Sequence, residues 1–286
     1  SLGYSDESLR IVAACYGEDS PVYALRLNNH AATLEKLGRL DEAEAIHRKL
    51  LAVNTARFGA EDVRVATSLG NLALVLLSDN RAQEAAELYE QALALRLAAH
   101  GPDHLATATA ETNLASALVD VGELARAREL LEHALASHIA KLGPDHRDLA
   151  DVHATLGALE LAEQHYAAAR EHYGHVLALD EAALGKDAPE LAETLTSLAE
   201  IALAEGNDAD ALALAERALD LRNAPTWLAP GRLAATRFML AQALARRDAT
   251  GDRTRANDLA SLARGEFERA GMRDELARVD AWLGRR

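Results

Sequence analysis

Glycine returns every 42 residues along this chain, at Gly17, Gly59, Gly101, Gly143 and Gly185, with no slippage. Ala24, Ala66, Ala108, Ala150 and Ala192 keep the same step. So do Ala43, Ala85, Ala127, Ala169 and Ala211, and so do Leu51, Leu93, Leu135, Leu177 and Leu219. Four columns in phase over five copies define a tandem repeat. A period of this length means supersecondary units that cannot bury their apolar faces alone and complete a core by stacking on their neighbours.

Each unit reads as two amphipathic helices. In the first full unit, helix A is expected over about Pro21 to Leu37, with Ala24, Leu27, Ala31 and Leu34 at three- and four-residue steps. Ser20 supplies a capping hydroxyl and Pro21 a first-turn residue whose missing N–H costs nothing. Gly38 is the left-handed stop. Its equivalents are Asn80, Gly122, Gln164 and Gly206, of which only Gln164 is a residue type poorly suited to positive φ. Helix B follows from about Asp41 to Phe58, and the Ala43 column is placed where A and B cross. Composition agrees. Of 286 residues, 49% are apolar, but only three are Phe, two Trp and six Tyr, so Ala and Leu carry the core. Both are strong helix formers. The fold class expected is all-α: a right-handed superhelical solenoid of antiparallel helix pairs.

The repeat divides the chain into a partial unit over 1–16, full units over 17–58, 59–100, 101–142, 143–184 and 185–226, and a degenerate unit with a capping helix over 227–286. Residues 5–16 align with helix B, since Leu9 lies one period before Leu51, so the chain reads as a fragment that begins mid-repeat. Near the other end the register holds through Ala234, Leu240 and Ala241. It slips by about three residues in the polar stretch Asp248–Arg255, and resumes at Ala256. Arg273–Leu283 reads as a last short helix carrying Trp282.

Charge narrows the function. The net charge is −15, against the basic stripe that nucleic-acid binding needs and against docking on anionic lipid. Lysine is confined to Lys36, Lys49, Lys141 and Lys186, so most basic charge is arginine. The single cysteine, Cys15, allows no intrachain disulfide, which is compatible with the cytoplasm. No apolar run approaches the roughly 18 residues that span a bilayer.

The segment ETNLASALVDVGELARARELLEHALASHIAKLGPDH, Glu111 to His146, resembles the 42-residue tetratricopeptide (TPR) repeats of kinesin light chains. The shared pieces are Asn-Leu-Ala in helix A, the Gly-containing turn, Ala-Leu near the end of helix B, and Leu-Gly-x-Asp-His. The tail DELARVDAWL, Asp274 to Leu283, resembles the C-terminal ends of TPR regions attached to bacterial serine/threonine kinases. No acidic or heptad segment of the kinesin type accompanies the repeats. The resemblance implies that A helices line a concave groove, with the column Asn29, Asn71, Asn113, Thr155 and Ser197 facing it. An amide offers both donor and acceptor to an extended backbone. Thr67, Leu74, Ser78, Thr109, Ser116 and Asp120, one turn either side, would share that face. A repeated Asn can equally bond a neighbouring helix and have no ligand. A C-terminal carboxylate ligand is not expected, because Lys36 is the only lysine in the first three A helices.

Several patterns imitate enzyme chemistry. His146-Arg147-Asp148-Leu149 spells the start of a kinase catalytic loop, but His153 stands where the metal-holding Asn is required. His172 and His175 sit three apart on helix B, seven and ten residues after His165; a solvated helix face accounts for them better than a metal site. Cys15 has no activating neighbour in sequence, and His104 and His146 belong to the turn column as capping residues. No catalytic, cofactor or metal residue is therefore assigned, and the fragment reads as non-enzymatic. Two functions remain open. One is an interaction scaffold whose groove holds a peptide or protein partner. The other is a regulatory or sensor region of a longer enzyme, for which a serine/threonine kinase is the expected class. Homotypic assembly through the N-terminal face is also left open.

Overall fold

A computed structural model describes residues 2–17, 20–222 and 230–284, without the side chains of residues 2, 4–6 and 230. The expected boundary at 226/227, and Trp227, lie outside the described residues. Fourteen helices and no strand occur among those described. Two compact units are distinguished, 1–143 and 144–286.

In the first unit, α1 (Leu2–Tyr16) precedes three A/B pairs: α2 (Pro21–Lys36) with α3 (Leu40–Phe58), α4 (Val63–Ser78) with α5 (Ala82–His100), and α6 (Leu105–Val121) with α7 (Leu124–Leu142). The second unit holds α8 (Leu149–Ala162) with α9 (Tyr166–Leu184), and α10 (Leu191–Glu205) with α11 (Asp208–Arg222). It continues with α12 (Pro230–Arg247) and α13 (Asp252–Ala270), and closes on α14 (Arg273–Leu283). The tandem helix pairs match the periodicity within a residue or two at each end.

The alanine column expected at the A/B crossing is fully buried in every one of its five pairs. Ala43, Ala85, Ala127, Ala169 and Ala211 are all 0% exposed. Large apolar residues fill the space beside it: Leu34 with Ala31 and Val75 in the first unit, and Leu240, Leu244 and Phe267 in the second. Each such leucine contributes about 1.5–3 kcal/mol when fully buried. The Leu51 column is only half-buried, apart from Leu93 at 8% exposed.

The two kinds of turn differ in backbone geometry, and this explains their different residue tolerance. After helix A the chain enters the left-handed region, with Gly122 at φ 90°, ψ 11° and Gly206 at φ 80°, ψ 15°. Asn80 (φ 59°) and Gln164 (φ 62°) adopt the same sign of φ, so the glutamine bears the strain that its residue type predicts. After helix B the chain takes positive φ with extended ψ: Gly59 at 90°, 153°, Gly101 at 81°, 173°, Gly143 at 87°, 163° and Gly185 at 89°, 159°. That region belongs essentially to glycine, which is why glycine recurs at each of these four positions.

One register position caps α2, α4 and α6 and holds the turn before α8, filled by three chemistries, whereas α8 and α10 themselves start without a side-chain cap. Ser20 Oγ accepts from Tyr23 N at 3.2 Å, and Asp62 Oδ1 from Arg64 N at 2.9 Å. His104 Nδ1 accepts from Ala106 N at 3.1 Å, and His146 Nδ1 from Asp148 N at 3.2 Å. The Asp62 carboxyl is pulled down to about 2 by the side-chain and backbone hydrogen bonds of Arg64. Neighbouring B helices are joined by arginine–carboxylate pairs 36 or 39 residues apart. Arg126–Glu90 (2.7 Å) is an example in the first unit, and Arg217–Glu181 (2.7 Å) and Arg255–Glu216 (2.8 Å) in the second. Exposed pairs of this kind contribute about 0–1 kcal/mol each. The register slip has a simple cause. Asp248 (φ 49°) is the A-helix stop in its column, and three residues ending in Gly251 (φ 87°) are added before α13 begins. Ala256 then takes the crossing position at 0% exposure.

Candidate functional site

In the first unit, four of the nine residues expected in the groove gather around a concavity of about 130 Å3 formed by α4, α5 and α6. Thr67, Asn71 and Leu74 come from α4 and Asn113 from α6; Tyr89 and Arg96 from α5 join them. Leu74 is 48% exposed, an apolar side chain left uncovered in the middle of a polar rim. Asn113 is exposed and makes no side-chain hydrogen bond among the described residues, which leaves its amide with both functions available.

The remaining predicted residues divide by what they touch. Asn71 Nδ2 donates to Asn28 Oδ1 at 2.8 Å, a link between α4 and α2, so this amide is partly spent on holding the stack. Thr109 Oγ1 returns to the Leu105 carbonyl of its own helix at 2.9 Å. Asn29 and Ser78 are exposed and Ser116 half-buried, and none of them lines the concavity. Asp120 stands outside it as well, and packing around its carboxyl raises it above the ordinary carboxylate range.

Arg96 and Tyr89 were not visible as site residues, because they belong to a B helix and the periodicity argument followed A helices. Arg96 is half-buried and, among the described residues, forms no ion pair and reaches only Thr67 Oγ1 at a long 3.4 Å. Burial alone lowers its pKa from the usual arginine value, with no carboxylate to raise it back. Tyr89 is 3% exposed, and burial holds its phenol well above the ordinary value. The site therefore offers a desolvated cation, a free amide and an apolar ledge, but no nucleophile paired with a base.

The enzyme-like patterns resolve into structural contacts. In the would-be kinase motif, His146 caps the turn, Arg147 pairs with Asp180 at 3.5 Å, and Leu149 is 0% exposed in the core. His172 and His175 do acquire a third imidazole that their spacing did not reveal. His153 Nδ1 lies 3.1 Å from His172 Nδ1, and its ring stacks on His175 at 4.9 Å. Burial and the two neighbouring rings push His153 down to about 4. His165 sits apart from them, with Nδ1 2.9 Å from Glu160 and 3.4 Å from Glu163. Those three residues bring ligand atoms within 4.8 Å of one another, and the His–carboxylate pairing already accounts for the approach. Cys15 is exposed.

The tetratricopeptide repeat family profile matches residues 23–98, 64–140, 106–182 and 148–224, four overlapping windows that advance by about one period. The chain belongs to the tetratricopeptide repeat family. Among solved structures, a kinesin light chain-like protein of nearly identical TPR-like repeats from Podosopora anserina is 23% identical. The match covers 71% of this chain and 96% of that one, with a TM-score of 0.52. BtubC (BKLC) from P. vanneervenii is also 23% identical, over 78% of this chain and 89% of that one, at 0.57. A Rap protein complexed with Competence and Sporulation Factor is 16% identical over 100% of this chain and 80% of that one, at 0.68. These likenesses establish the TPR fold. No curated protein sequence matches the chain. TPR proteins are in general non-catalytic scaffolds for protein–protein interaction, and no described helix is long and apolar enough to cross a membrane.

Proposed function

We propose that the A-helix face of the first unit binds an extended segment of a protein partner, with Asn113, Leu74, Thr67 and Arg96 as the contact set. The supporting observation is the group itself: an unspent amide, an uncovered leucine and an unpaired half-buried guanidinium around one concavity. A peptide backbone satisfies the amide, an apolar side chain covers Leu74, and a carbonyl or carboxylate completes Arg96. Asn71 contributes less to binding, because its amide already holds Asn28. Asn29, Ser78, Thr109, Ser116 and Asp120 form the outer face along which a longer partner extends.

Site-specific photocrosslinking tests this reading. A photoreactive residue at Leu74 or Thr67 is expected to capture a partner from native lysate, while one at Glu87, exposed on the B helix α5, captures none. The Leu74→Lys/Asn113→Ala variant is expected to lose that partner with its helicity and melting temperature unchanged. Capture at Glu87 alone would move the interface to the B-helix surface and defeat the assignment.

A further inference from the structure

The second unit carries a separate concavity of about 1010 Å3, walled by α10, α12 and α14. One part of its lining is apolar and aromatic. Phe238 and Trp282 meet edge to face with centroids 5.9 Å apart, beside Leu203 and Met239. The other part is acidic: Glu200 from α10, and Asp274 and Glu275 from α14. Among the described residues, none of these three carboxylates belongs to an ion pair. Glu275 Oε2 is shut off from solvent and accepts no hydrogen bond. A buried carboxylate oxygen without a donor is unfavourable until a donor arrives. Two arginines also line the space. Arg246 is already committed, donating to the Leu203 carbonyl and lying 3.4 Å from Asp208. Arg278 is exposed on α14.

From this juxtaposition we propose that the α10/α12/α14 groove binds an extended peptide segment whose arginine or lysine side chains alternate with bulky apolar ones. The cation pairs with the carboxylate cluster of Glu200, Asp274 and Glu275, and the apolar residue packs on Phe238, Met239 and Trp282. Arginine suits the place better than lysine. Its planar fork matches a carboxylate, and its face stacks on an indole. The same carboxylates repel phosphate, so a nucleic acid does not fit. The inference shares with the scaffold reading the premise that this chain binds peptide, but it uses different residues in a different unit.

The test uses the full chain with Trp227→Phe, so that Trp282 is the remaining indole. Three fluorescein-labelled decapeptides flanked by Gly-Ser carry central Leu-Arg-Phe-Arg, Leu-Ser-Phe-Ser or Leu-Glu-Phe-Glu, so their apolar content is matched. Anisotropy is expected to show the arginine peptide binding at least about tenfold tighter than the other two. Its binding should weaken with salt and quench Trp282. Glu275→Gln, which keeps shape and volume, is expected to weaken it about tenfold with an unchanged melting temperature, and Glu200→Gln by a smaller factor. Leu74→Lys is expected to leave it unaltered. Equal or tighter binding of the glutamate peptide, no binding of any peptide, or indifference to Glu275→Gln would overturn the proposal. If Leu74→Lys abolished binding while Glu275→Gln did not, the peptide would sit in the first unit, sparing the scaffold reading and refuting this one. Retained arginine-peptide binding without crosslinking at Leu74 would do the reverse.

Discussion

Replacing Gly101 by alanine isolates the backbone geometry that sets the repeat. Gly101 sits at φ 81°, ψ 173°, and a Cβ built there meets no heavy atom within 4 Å. Nothing steric from the surroundings contributes, so the cost is conformational. Holding a residue with a Cβ in this region costs about 1–3 kcal/mol. The unfolded chain loses entropy when glycine becomes alanine, which returns about 0.4–1 kcal/mol. The net destabilisation expected is about 1–2 kcal/mol, and each kcal/mol lowers the melting temperature by roughly 2–4 °C in a chain approaching this size. Gly122→Asn is the matched control. Gly122 lies at φ 90°, ψ 11°, and Asn80 fills the equivalent stop at φ 59°, so its cost should stay within a few tenths of a kcal/mol. Urea titration followed by circular dichroism reads both variants. Hydrogen exchange in α5 and α6 would show whether the loss is local, as nearest-neighbour coupling predicts. If Gly101→Ala were as mild as Gly122→Asn, or stabilising, the distinction between the two turn types would be wrong.

Gln164→Gly removes the strain of a non-glycine residue at φ 62° from an exposed position; it should stabilise by about 0.5–1 kcal/mol in the same titration, and a loss would show the strain to be negligible. Ala127→Leu inserts bulk at a crossing that is 0% exposed; overpacking should cost about 1–3 kcal/mol, and an unchanged melting temperature would contradict the crossing role. His153 titrates at about 4 in the fold, against 6.5 for an unperturbed imidazole. As pH falls the unfolded chain takes the proton first, so the stability present above pH 6.5 drains between 6.5 and 4. His153 is only partly buried, so solvent screening limits the loss to about 1–2 kcal/mol. His153→Leu, which installs the side chain already present at Leu69 and Leu195 one or two periods away, should flatten that part of the melting profile between pH 7 and pH 4.5; parallel profiles would refute it.

The elements were legible where backbone geometry or close packing dictates residue identity. Only glycine suits positive φ with extended ψ, and only a small side chain fits the crossing, so Gly59 and Ala43 repeat and the period shows itself. Ligand chemistry obeys no such constraint. The register position of Arg96 holds Asn54, His138, Asp180 and Arg222 in the other units. Asn54 donates to Ser68 at 2.7 Å, His138 lies 2.9 Å from the Ala134 carbonyl, and Asp180 pairs with Arg147 at 3.5 Å. One place in the fold thus serves three different partners, and a search for repetition passes over it. The Asn71–Asn28 bond was hidden for a related reason, since Asn28 lies one residue off the column that drew attention to Asn29. The extent of Arg273–Leu283 was readable from its pattern. Its role as a groove wall depends on where Trp282 and Glu275 stand relative to Phe238, which no period encodes. Positions that vary in type while keeping their register, such as Arg96, are therefore where specificity can differ between units without disturbing the fold. Changing Arg96 should alter partner choice in the first unit and leave the stacking of α4 on α5 intact.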